Sequence, residues 1–183
     1  MTIVAAAPRR ALDAARAADL RARDRMAAAI DEHLARAPLM RAIAARLLTR
    51  AISRSDASTV VAIAADVRMR RTTLDVRIQR AGGASIRRLR REMIVVRVAA
   101  IVETSRLPWP VIAELLGTPR AHTLLHLVVG ITNLPPSLWR ERIRVDAQLE
   151  YFRRFLTANA AAWSQLAQPG ARLFGALSPT DRR

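Results

Sequence analysis

Residues 61–86 read VAIAADVRMRRTTLDVRIQRAGGASI, and the organisation of the chain turns on how they are parsed. Apolar residues at helical spacing place one helix over 58–67 and a second over 70–80, with a short turn at Arg68-Met69 between them. Gly82-Gly83 closes the second helix, because glycine accepts the left-handed conformation that commonly ends a helix. At 100° per residue, Leu74 and Ile78 share the inward face of the second helix. The face opposite carries Thr72, Asp75, Val76 and Gln79, flanked by Arg70, Arg71, Arg77 and Arg80. Such a surface suits entry into a DNA groove. Thr and Val methyls can meet thymine methyls, Gln can pair with adenine, and Arg can hold phosphates. Asp75 fits beside phosphates only if it accepts from cytosine N4 or pairs with an Arg.

A second pair of helices follows in residues 112–140, IAELLGTPRAHTLLHLVVGITNLPPSLWR. Gly117 and Pro119 separate a helix over 109–116 from one over 119–131. Here Leu124 and Val128 point inward, and the outer face is His122, Leu125, His126 and Val129. After Arg120 this helix has no formal charge, and only the two histidines offer hydrogen bonds to a base or phosphate from that face. An apolar outer face must be covered by thymine methyls or by protein. His122 and His126 have the four-residue spacing of a helical metal pair. No Cys exists, His33 is remote and no carboxylate lies in the helix, so no metal site is expected.

Working outward, residues 85–104 form one helix joining the two pairs, with Arg87, Arg88, Arg90 and Arg91 near its start. These arginines either face solvent or touch the DNA backbone between two groove insertions. Residues 55–100 hold 10 Arg and 4 acids, net +6, whereas residues 101–140 hold 3 Arg and 2 acids, net +1. The basic footprint therefore lies on the first pair and the joining helix. Upstream, residues 9–36 read as a long Ala-rich charged helix, and Pro38 opens another that runs to about Ser53. The polar stretch Ser53–Ser58 marks a boundary. Downstream, a long helix is expected from Pro136 to about Gln168. Its Leu138, Arg142, Val145, Leu149, Phe152, Leu156, Asn159, Trp163 and Leu166 keep a 4-3-4-3 spacing. That pattern serves a dimer seam with Asn159 fixing register, or a helix packed on its own chain, and packing on its own chain is the preferred reading. The tail after Pro169-Gly170 is expected to be loose.

Composition agrees with an all-α chain. The 183 residues are 51% hydrophobic but only 4% aromatic, so Ala, Leu, Ile and Val must build the core. All 31 basic residues are Arg, and the net charge of +16 points to a polyanionic partner. The absence of Cys excludes disulfides and thiolate zinc sites. No apolar run reaches the roughly 18–20 residues of a membrane span. The first residues lack the order of a signal peptide, and a cytoplasmic, nucleoid-associated location is expected. No nucleophile–base set, clustered carboxylate pair or phosphate-cradling glycine loop is evident, so no enzyme and no cofactor are expected.

Over about 80 residues the chain resembles the DNA-binding domain of AraC/XylS-type transcription regulators, which hold two helix-turn-helix units joined by one long helix. The resemblance rests on Ile63-Ala64, Leu74 and Ile78, Gly83 and Ser85-Ile86 in the first unit, and Thr104 in the linker. In the second unit it rests on Ile112-Ala113, Leu116-Gly117 and the closing Pro136, Trp139 and Arg140. Departures concentrate after the first unit. Thr118 replaces an aromatic, Ile94 an arginine, Leu124 and Val128 two phenylalanines, and Asn133 a glycine.

The resemblance implies a tandem helix-turn-helix core at 55–140, an N-terminal helical extension at 1–54, and a C-terminal helix and tail at 141–183. It implies a sequence-specific regulator of double-stranded DNA without a small-molecule sensing domain. Its contact residues would be Arg70, Arg71, Thr72, Asp75, Val76, Arg77, Gln79, Arg80, Arg87, Arg88 and Arg91, with Arg120, His122 and His126 from the second unit. RNA polymerase, another regulator or a second copy joined through the C-terminal helix are the candidate protein partners, and no membrane is expected. Two other readings stay open: a protein-interaction module that keeps the regulator fold, and a basic DNA binder without sequence preference.

Overall fold

The computed structural model describes residues 8–49, 56–67, 69–118 and 120–167. Among the described residues there are nine α-helices and no strand. They are α1 (Arg9–His33), α2 (Pro38–Thr49), α3 (Asp56–Asp66), α4 (Arg71–Arg80) and α5 (Ile86–Thr104). Then come α6 (Trp109–Leu115), α7 (Ala121–Thr132), α8 (Pro136–Arg142) and α9 (Val145–Ser164), with a 3-10 turn at Gln165–Ala167. The all-α fold is as expected, and the helix limits between 56 and 132 fall within two residues of those read from turns and periodicity. The tail beyond 167 and the polar residues 53–55 lie outside the described residues.

The axis of the molecule is α5. Every residue from Glu92 to Val102 is buried, so this helix is enclosed on all sides as only a core helix can be. α1 and α9 pack along most of its length, and the shorter helices complete its cover. α1 runs antiparallel to it, with Asp19 meeting Arg97 near the middle and Leu12 reaching the C-terminal half. α9 is also antiparallel, with Asn159 at the start of α5 and the first turn of α9 at its end. Consequently α1 and α9 lie parallel to each other, tied by the Arg25–Asp146 ion pair and by a 3.2 Å hydrogen bond between Thr157 and His33 Nδ1.

Two hydrophobic cores share this axis. One joins the N-terminal half of α5 to α1, α2, α3, α4 and α9, around Met26, Ile43, Leu74, Ile78, Phe152 and Trp163. The other joins the C-terminal half to the start of α1, α6, α7 and α8, around Ile101, Ile112, Leu124, Val128 and Trp139. The helices of residues 1–54 and α9 thus complete the same cores as the helix pairs.

Between the cores lies a buried ionic link. Arg97 Nε and Nη2 donate to the two carboxylate oxygens of Asp19, the second at 2.8 Å, and Arg23 reaches the same carboxylate at 2.9 Å. The bidentate fork matches the planar guanidinium to the carboxylate and satisfies charges that burial would otherwise penalise.

One expectation is overturned. The helix foreseen from Pro136 to Gln168 is two helices broken at Ile143-Arg144, both in extended backbone. No proline or glycine marks the break. Ile143 drops into the second core, and Glu103 Oε2 accepts the Val145 N–H at 2.8 Å, capping α9 from 42 residues away. The heptad residues Leu149, Phe152, Leu156, Trp163 and Leu166 are buried within the chain, so this face is not an open seam for a second copy.

Candidate nucleic-acid interface

The first helix pair is α3 and α4. Leu74 and Ile78 are fully buried, and each side chain taken from water contributes roughly 1.5–3 kcal/mol. That anchorage turns the other face outward. Arg70, Thr72, Val76, Gln79 and Arg80 are exposed, and Arg71, Asp75 and Arg77 are half-buried. Val76 stands 43% exposed, one of only four large apolar side chains left so open among the described residues. Asp75 resolves its expected conflict locally, lying 3.6 Å from Arg71 Nε one turn earlier. Arg77 and Arg80 occupy the last turn of α4, where a cation meets the negative end of the helix dipole.

The exit from α4 is built with unusual care for a loop. The Gly82 N–H donates to Gln79 O and the Gly83 N–H to Ile78 O, a Schellman closure with Gly82 left-handed at φ 75°. Ala84 is then held by α9 on both backbone groups. Its N–H donates to Asn159 Oδ1 at 2.7 Å, and its carbonyl accepts from Trp163 Nε1 at 3.2 Å. The Trp163 ring lies so close that a Cβ on Gly83 would sit 2.4 Å from Cδ1 and Nε1. Ser85 caps α5 by accepting from the Arg88 N–H at 3.2 Å. Asn159 and Trp163 were legible only as heptad positions; their link to the α4 exit spans more than 70 residues and leaves no local signal.

The arginines of the joining helix divide. Arg87 and Arg91 are exposed on the α5 surface. Arg88 is half-buried, and its Nε lies 2.7 Å from Glu92 Oε1. Arg90 is buried and cannot belong to the outward basic surface, because the helices packed around α5 cover it. Desolvation lowers its affinity for a proton, aided by the neighbouring charges of Arg91 and Arg97. Burial pushes the Glu92 carboxyl up, and Arg88 offsets part of that shift.

The second helix pair, α6 and α7, repeats the frame with different chemistry outside. The Gly117 N–H donates to Glu114 O and the Thr118 N–H to Ala113 O, again a Schellman closure, with Gly117 at φ 68°. Thr118 turns its hydroxyl back onto Ala113 O at 3.0 Å. Leu124 and Val128 are buried as expected. Leu125 and Val129, read as an open apolar surface, are only half-exposed. His122 and His126 are exposed with their Nε2 atoms 2.8 Å apart, and Arg120 is exposed just before the helix. Asn133 takes the left-handed conformation at φ 54° that a glycine would adopt, which Asn tolerates better than most residues. Trp139 is buried edge-on to Trp109 and donates to Thr132 Oγ1 at 3.1 Å. Arg140 donates to the Leu107 carbonyl.

Of the expected contact residues, those of α4 share one outer surface, and Arg120, His122 and His126 share another on α7. No protein-family model, curated protein or solved structure matches the chain. Among the described residues no helix is long and apolar enough to cross a membrane, and no group of three or more metal-ligating side chains assembles.

Proposed function

We propose that the protein is a double-stranded DNA-binding transcription regulator that reads sequence chiefly through α4. The observation that supports it most is the outer face of that helix. Thr72, Val76 and Gln79 stand open between Arg70, Arg71, Arg77 and Arg80, over a buried Leu74–Ile78 anchor, on a chain of net charge +16. Arginines hold phosphates and set register, while Thr, Val and Gln address base edges in the major groove. Arg87 and Arg91 extend the phosphate-binding surface along the joining helix. About six neutralised phosphates would give a slope of log K against log salt near −5.

In this reading α7 is the weaker reader. Its outer face offers two histidines and Arg120, and its half-covered Leu125 and Val129 suit thymine methyls or a protein neighbour. A protein partner, RNA polymerase or another regulator, would then dock on that side. Association with the bacterial nucleoid follows from the same reading.

Selection of bound duplexes from a random pool at about 150 mM salt tests it, since that salt partly screens nonspecific attraction. One short enriched block assigns reading to α4 alone. Two blocks about one helical turn apart assign reading to both pairs. No enriched block would overturn sequence-specific regulation in favour of a nonspecific binder or a partner-dependent module.

A further inference from the structure

We propose that His122 and His126 form a two-nitrogen site on α7 for a tetragonal transition-metal dication, Cu2+ or Ni2+. The inference is independent of DNA binding and rests on how the two rings meet. Both side chains are exposed, their ring centroids lie 4.2 Å apart at 73°, and their Nε2 atoms converge to 2.8 Å. In the metal-free protein that contact is a hydrogen bond from the Nε2–H of one ring to the lone pair of the other.

The separation discriminates between metals. Two nitrogens bound cis to a square-planar ion at about 2.0 Å lie about 2.8 Å apart. A tetrahedral ion with bonds of about 2.05 Å separates them by about 3.3 Å. The rings therefore already stand at the cis spacing of Cu2+ or Ni2+, and Zn2+ would have to spread them by about half an ångström. Loading needs one tautomeric change. The ring that carries its proton on Nε2 moves it to Nδ1, both Nε2 lone pairs then face the ion, and water fills the remaining positions.

The host helix would feel the ion. Eight of the twelve residues of α7 are His, Thr, Val, Ile or Gly, all poorer helix formers than Ala or Leu, and its N-cap Arg120 makes no side-chain capping bond. An ion bridging residues 122 and 126 ties two successive turns together. Ligand that binds only the formed helix favours it by the factor 1 + [L]/Kd, about 100-fold at 100 times Kd.

The test is titration of the full-length, untagged protein with Cu2+ alone, followed by electron paramagnetic resonance and by amide exchange across α7. The expected result is one equivalent of Cu2+ with an axial signal split by two nitrogens. H122A and H126A should each weaken it at least about tenfold, the H122A/H126A double variant should abolish it, and H33A should leave it unchanged. Zn2+ should bind at least about tenfold more weakly than Cu2+. Exchange in α7 should slow on loading of the wild type and not of the double variant, whose far-UV dichroism verifies that the exposed substitutions leave the fold intact. A Cu2+ equivalent retained by the double variant with unchanged affinity overturns the proposal. So does failure of the wild type to bind Cu2+ with a Kd below about 100 μM, or Zn2+ binding as tight as Cu2+.

Discussion

The pairs α3–α4 and α6–α7 use similar inner residues to support unlike outer faces. Each outward helix is anchored by two apolar side chains four residues apart, Leu74 and Ile78 in one, Leu124 and Val128 in the other. Outside, α4 shows arginine, threonine and glutamine, whereas α7 shows two histidines and half-covered aliphatic side chains. Their supports differ too. The exit of α4 is held by Asn159 and Trp163 from α9, while the exit of α7 is held by Trp139 and Thr132 within seven residues of each other. Internal packing preserves a helix pair, and only the outward residues decide what it meets.

The largest expected effect tests whether the two pairs depend on one axis. D19A leaves Arg97 buried without its bidentate partner, and the cost should be about 3–5 kcal/mol in urea unfolding. Because α5 serves both cores, amide protection should fall in α4 and α7 together. Loss confined to one pair would mean that the halves open separately.

A smaller effect should divide them. G83A forces a methyl against the buried Trp163 ring and should cost about 1–3 kcal/mol. Exchange should accelerate in α3 and α4 but not in α6 and α7. Equal acceleration in both would show that the α9 contact supports the whole molecule rather than the first pair.

On DNA the comparison becomes one of charge. R70A/R71A should weaken binding to every duplex and flatten the salt slope by about 2, one for each phosphate that is no longer neutralised. Q79A should cost about 1 kcal/mol on the selected sequence and little on random DNA. R120A should do less than either. If R120A matched R70A/R71A, the second pair would be as much a DNA contact as the first.

The smallest effect concerns Glu92. Its carboxyl titrates above the ordinary carboxylate range because it is buried, so the folded chain holds that proton more tightly than the unfolded chain. Its contribution to stability is therefore present below the ordinary carboxylate value and is lost as pH rises through the raised one. E92Q removes this loss along with part of the Arg88 contact. Relative to wild type it should gain as pH rises from about 4 to about 7, read from paired urea midpoints. A gap that does not change with pH would sink this account.

Much of the fold is legible in the sequence. Pro38, Gly82-Gly83, Gly117 and Pro136 punctuate helices by restricting or freeing φ, and those effects are local. The outer face of α4 is legible for the same reason, since a 100° step needs only the sequence. What escapes depends on distant partners. The α8–α9 break exists because Ile143 finds a core and Val145 finds Glu103. Arg90 reads as surface charge among other arginines, and only the packing of other helices around α5 buries it. On α7, spacing identifies the histidine pair, but the 2.8 Å convergence depends on rotamers that the sequence does not specify.

The wrapping of α5 by α1 and α9 has a consequence for how the protein is made. Synthesis proceeds from the N-terminus at about 5–20 residues per second. A nascent chain that has emerged as far as Ile143 carries α5 packed by α1 to α4 and α6 to α8 but not by α9. Met93, Val96 and Leu89 belong to a core whose Phe152, Leu156 and Trp163 are still to be translated. The chain must keep that apolar flank from sticking to neighbouring polysome products until α9 arrives. A ribosome stalled before residue 145 would hold a species bound for a chaperone or a protease.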